Sequence, residues 1–179
     1  MSNDSAATVR LLAAYHEAGH AVACVFWGLK PYSARVSSDG TGHVVHRWPH
    51  AWQWERQALV FAAGLSAEFM AGLKRKIPRR KLLDFTTGAF GDTEETLTLL
   101  SMFPERERKE LKDRILTKVS LWMLRPEIWT AIETVASMLL DRRRLSGPEC
   151  RAVIKKTLGR RLSRLERKAL KATVVELVE

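Results

Sequence analysis

The stretch AAYHEAGHAVA, residues 13–23, constrains this chain more than any other. It lies within residues 11–28, a run of small and apolar side chains interrupted by His16, Glu17 and His20. Those three groups make the run too costly as a membrane span. A helix apolar on nearly every side belongs at the centre of a globular domain. The pattern predicts a helix over 6–27, with Ser5 or Thr8 as N-cap and Gly28 as its left-handed stop.

In a helix, His16 and His20 project from one face a turn apart, so two imidazole nitrogens can meet at one point. Glu17 lies about 100° around the helix from His16, beside that point rather than on it. H-E-x-x-H is the arrangement of zinc hydrolases. Two histidines hold Zn2+, the ion brings the pKa of a bound water to about 7, and the glutamate moves its proton. The plainer alternative is a pair of core histidines beside a buried glutamate with no metal. That alternative leaves a carboxylate costly in an apolar helix, whereas a metal accounts for all three groups together. Gly19 costs about 1 kcal/mol against alanine in mid-helix, which predicts close approach of another backbone segment.

Such a site needs a third protein ligand. His43, His46 and His50 are near in sequence, but the first two fall on or beside a hairpin. Glu68 in LSAEF and Asp92, which ends TTGAFGD, are better candidates, and spacing alone does not choose between them.

The remaining signals are mostly helical. Asp39-Gly40 between runs with β-branched residues predicts a small antiparallel element over 33–47. Pro49 opens a second helix to about residue 71, closed by Gly72 and packed on the first. Residues 73–91 read as a loop. Further helices are predicted from Asp92 or Thr93, over 105–124 and 127–142 with Pro104 and Pro126 in their first turns, and from Ser146 to about 158. SRLE, 163–166, is a capping box ahead of a last basic helix to 178. The expected organisation is one mainly helical domain, 1–158, with a basic C-terminal helix, 159–179, packed on or appended to it.

Cys24 and Cys150 follow no C-x-x-C pattern, so neither a disulfide framework nor a thiolate metal site is expected. With no signal-peptide pattern, the expected compartment is the cytoplasm. The net charge of +10 is uneven: residues 1–72 hold five Lys/Arg against five Asp/Glu, leaving 25 against 15 in 73–179. Two basic patches result, Lys74 to Lys81 and Arg142 to Lys171, either of which suits an acidic partner, nucleic acid or an anionic surface.

AAYHEAGHAVA, FAAGLSAEFMAG and TTGAFGDTEETL, in this order, resemble the proteolytic domain of FtsH-type ATP-dependent zinc metallopeptidases over about residues 13–100. The resemblance implies a mainly α-helical peptidase domain with a small antiparallel β element. It implies His16, His20 and Asp92 as Zn2+ ligands, Glu17 as general base, and Glu68 as a supporting group or alternative ligand. It also implies an edge strand that aligns extended polypeptide, here Thr41, Gly42, His43, Val44 and Val45, giving affinity with little sequence preference. Departures are the Ala63-Gly64 pair where the family has two glycines, the basic insertion, and the lack of a G-x-x-x-x-G-K-[ST] loop. These leave hexamer formation open and give a separate ATPase or acidic partner a role in presenting substrate. The expected function is therefore zinc-dependent endopeptidase action on unfolded or flexible polypeptide. The second reading is a non-catalytic nucleic-acid-binding or adaptor protein with a structural metal site, using the basic C-terminal half. Few aromatics interleave with those basic residues and no helix-turn-helix signature is present, so the first reading is preferred.

Overall fold

The computed structural model describes residues 3–46, 54–78, 82 and 89–159. Nine elements follow in order: α1 (Asn3–Phe26), β1 (Pro31–Val36), β2 (Gly42–His46), α2 (Trp54–Lys74), α3 (Ala89–Leu100), α4 (Glu105–Met123), α5 (Pro126–Arg142), β3 (Arg144–Ser146) and α6 (Gly147–Gly159). The described part is mainly helical with one three-stranded antiparallel sheet in the order β2-β1-β3. No described helix is long and apolar enough to cross a membrane.

α1 occupies the centre, as its all-round apolarity requires. Leu12, Ala14, Ala18, Ala21, Val22, Ala23 and Cys24 are buried, with α2, α5, α6 and the sheet packed around the helix. It begins at Asn3, upstream of both expected caps, so Ser5 and Thr8 are interior residues rather than N-caps. It stops at Gly28, whose φ of 83° only glycine adopts freely. A β-carbon on Gly19 would lie 2.4 Å from the Ala63 carbonyl oxygen and 2.8 Å from the Ala67 β-carbon. The missing side chain thus lets α1 and α2 meet backbone to backbone, as the mid-helix glycine predicted.

The hairpin forms around Asp39-Gly40 as expected. Gly40 has φ 85°, and Asp39 Oδ1 accepts from the Thr41 amide at 2.9 Å and hydroxyl at 2.7 Å. Thr41 therefore belongs to the turn, and the strand starts one residue later at Gly42. The third strand is a correction to the two-run expectation. Arg144–Ser146 pairs with β1, Leu145 opposite Ala34, and buries Leu145 completely.

Helix starts obey local chemistry. Pro126 opens α5 after an extended Arg125. Pro104 instead sits just before α4, with ψ 141°, rather than in its first turn. The turn into α6 is a capping box: Ser146 donates through its amide at 2.8 Å and its hydroxyl at 2.6 Å to Glu149 Oε2. Those bonds hold the Glu149 carboxyl below the usual carboxylate range. The expected loop over 73–91 is shortened at both ends, because α2 runs to Lys74 and α3 starts at Ala89. Helix starts near Pro49 and the box at 163–166 lie outside the described residues.

Two tertiary clusters fix the helices. Phe26, Trp27 and Trp122 pack ring on ring between α1 and α4. Lys118 of α4 is buried and donates to Glu55 Oε1 of α2 at 2.5 Å. Glu55→Gln should lower unfolding free energy in urea by about 1–2 kcal/mol, since Lys118 loses its charge partner while water still reaches the half-exposed site. Adding Lys118→Met should restore most of the loss, because an apolar side chain tolerates that position without a partner.

Candidate metal centre

α1 brings His16 and His20 together as the i, i+4 spacing demands. Their Nε2 atoms are 3.0 Å apart, with the rings edge to face. All three motif residues are buried: His16 5%, Glu17 4% and His20 7% exposed.

The opposite ring nitrogens decide the protonation. His20 Nδ1 lies 2.8 Å from the Val60 carbonyl oxygen, which can only accept, so Nδ1 carries the hydrogen. His16 Nδ1 lies 2.9 Å from Glu68 Oε2 and donates to that carboxylate. Each neutral ring then turns an Nε2 lone pair toward the other. Two acceptors facing one another at this distance repel unless a cation, either a proton or a metal ion, satisfies both. In a tetrahedral zinc site with Zn–N near 2.0–2.1 Å, ligand nitrogens stand about 3.3 Å apart. The observed pair is within a few tenths of an ångström of that. A carboxylate and a carbonyl on the outer nitrogens are also what orient metal-binding imidazoles. The donor set fits a zinc ion as far as two ligands go.

Glu68, on α2, thus meets His16 at Nδ1, the ring nitrogen that does not face His20. Asp92 lies in the first turn of α3, and its side chain is outside the described residues. Among the described residues no group of three or more His, Cys, Asp or Glu is arranged to hold a metal ion.

α2 contributes through what it lacks. A β-carbon on Gly64 would sit 2.3 Å from His20 Nε2, so the imidazole occupies the space of the missing side chain. Gly42 of β2 does the same for the general-base candidate: its β-carbon would lie 2.7 Å from Glu17 Cγ and 2.8 Å from Oε1. The Glu17 carboxylate therefore lies against the backbone of the sheet's outer strand.

That strand carries the remaining predicted residues. β2 has β1 on one side and, among the described residues, no strand on the other. Gly42 and Val44 pair with Val36 and Ala34 on the inner face. His43 and Val45 share the opposite face, Val45 being 43% exposed. His43 Nδ1 accepts from Arg35 Nε at 3.0 Å, and partial burial together with the Arg35 charge holds its pKa below the usual histidine value. Thr41 gives both of its donors to Asp39 and its carbonyl accepts from the Ser37 amide at 2.7 Å, so all its polar groups are used within the turn. His43 and His46 lie on β2, as expected, and His50 is outside the described residues.

Sequence reasoning missed Arg35 and the Val60 carbonyl. Counting outward from a two-residue turn at Asp39-Gly40 puts Arg35 opposite Val44, whereas the observed register, one residue away, sets it opposite His43; a backbone oxygen leaves no trace in the sequence at all. The cysteines offer no rival nucleophile. Burial pushes Cys24 up to about 12 and Cys150 up to about 11, so neither supplies thiolate near neutrality.

Part of the first basic patch is structural. Tyr15 stacks on Trp129 at 5.7 Å, Arg75 lies over Tyr15 and Lys74 over Trp129 at 4.8 Å. This stack joins α1, α2 and α5 at the residue preceding His16. No protein-family model matches the chain, and no curated protein is similar to it at a significant level.

Proposed function

We propose that this chain is a zinc-dependent endopeptidase of the FtsH proteolytic-domain type, acting on unfolded or flexible polypeptide. The observation that carries the proposal is the pair of inward-facing Nε2 atoms, each made a lone-pair donor by an acceptor on its far nitrogen. His16 and His20 would hold the ion, with Asp92 as third ligand. When bound, zinc polarises the scissile carbonyl and acidifies water.

The protein's own groups do the rest. Glu17 removes the proton of the attacking water and returns it to the departing amine. Its burial against Gly42 holds the carboxylate in one place, so little reorganisation is needed when the proton moves. Glu68 and the Val60 carbonyl keep both imidazoles in the metal-binding tautomer. The open side of β2 offers backbone N–H and C=O groups to an extended peptide, which positions a scissile bond near Glu17. A separate ATPase or acidic partner would supply folded substrates, and the expected compartment is the cytoplasm.

The test is zinc content by mass spectrometry alongside hydrolysis of fluorescently labelled casein. Wild type should bind about one zinc per chain, as a single site of this kind requires, and cleave casein. His16→Ala should lose both together. A zinc-replete wild type that leaves casein intact would overturn the peptidase reading.

A further inference from the structure

Beside the edge of β2, which among the described residues has no strand on its outer side, the sheet face carries arginines that no described carboxylate pairs with. Strand register lines up Arg144 of β3, Arg35 of β1 and His43 of β2. Arg35 and Arg144 are both exposed, and like charges directly opposite on neighbouring strands repel. Among the described residues no carboxylate pairs with Arg35, Arg143 or Arg144, whereas neighbouring Arg142 is held by Glu149 at 3.1 Å. Arg35 reaches toward the edge, where Nε donates to His43 Nδ1. That bond fixes a guanidinium at the outermost strand and leaves its other N–H groups to a ligand.

A peptide added along β2 would place one residue directly opposite His43, on the same face and with β-carbons about 4.5–5.5 Å apart. Its side chain would lie beside the Arg35–His43 pair. We propose that the edge of β2 selects polypeptides with an acidic side chain at the position opposite His43, held by the Arg35 guanidinium with Arg144 adding attraction behind it. A guanidinium takes a carboxylate through two parallel hydrogen bonds. The occupant is a polypeptide rather than a nucleic acid because an open strand edge pairs with a peptide backbone. The proposal rests on the peptidase reading for the presence of substrate at this edge.

The test separates binding from cleavage. Zinc-loaded Glu17→Gln protein is titrated into fluorescein-labelled peptides of one sequence, with Glu, Gln or Lys moved position by position along it. Anisotropy should show one position at which Glu binds on the order of ten-fold tighter than Lys. Raising salt to about 1 M, where screening acts within about 3 Å, should narrow the gap. Arg35→Gln should close it and Arg144→Gln should reduce it, both with unchanged circular dichroism. In the active protein the kcat/KM ratio of the same pair should follow the binding ratio. Absence of peptide binding, equal binding of Glu and Lys peptides at every position, or a gap that persists in Arg35→Gln overturns the proposal. A gap in binding without hydrolysis supports acidic selection and overturns the peptidase reading alone. Preference for a single-stranded oligonucleotide, lost in Arg35→Gln, overturns the proposal in favour of a nucleic-acid surface.

Discussion

Glu17→Gln is expected to keep its zinc and to hydrolyse casein about a thousandfold more slowly than wild type, within the range that positioned proton transfer contributes. Glutamine matches glutamate in volume and retains an oxygen, so contact with Gly42 and the burial of the side chain should survive. What it cannot do is take a proton at neutral pH. The substitution therefore separates proton transfer from folding and from metal binding, because neither imidazole depends on residue 17 for its orienting bond. Metal analysis and initial rates on one preparation decide the matter. Activity within ten-fold of wild type, with zinc in place, removes Glu17 from the mechanism.

A second large effect is expected at a residue with no chemistry of its own. Gly64→Ala should abolish zinc binding while leaving the melting temperature near that of wild type. Alanine in place of glycine stabilises a helix interior by up to about 1 kcal/mol. The new methyl group would nevertheless sit on the His20 ring, which can turn away only by leaving the Val60 carbonyl. Half of the convergent nitrogen pair is then lost. Gly19 gives the contrast, because its obstacles are the Ala63 carbonyl and the Ala67 β-carbon, neither of which can swing aside. There the strain would fall on the packing of α1 against α2. Zinc content and calorimetry of Gly64→Ala provide the check, and full zinc occupancy would show that the ring is not confined as described.

The helical part was legible because its signals are local. Period, caps and prolines put α1, α4, α5 and α6 within a few residues of their observed ends, and Asp39-Gly40 located the hairpin. The misses arise where distant segments meet. β3 is three residues long, Arg144 to Ser146, too short for any propensity to mark it; its strand character comes from pairing with β1 across more than a hundred residues. At the candidate site, H-E-x-x-H gave the convergent histidines because four residues are about one helical turn. The spacing left Glu68 and Asp92 both open as third ligand, and the resemblance gave Glu68 as a supporting group or alternative ligand; its Oε2 meets His16 at Nδ1, a contact between distant segments that spacing does not display. The roles of Gly64 and Gly42 depend on helix and strand packing, which a single sequence does not display.

The placement of β3 bears on how the protein is made. β1 is the middle strand, yet its second neighbour is synthesised only when the ribosome reaches residue 146. Until then a nascent chain holds the histidine helix and a bare hairpin, and pairing across such a sequence separation is a slow, late event in folding. The sheet whose strand β2 lies against Glu17 is thus complete only after almost all of the described chain exists.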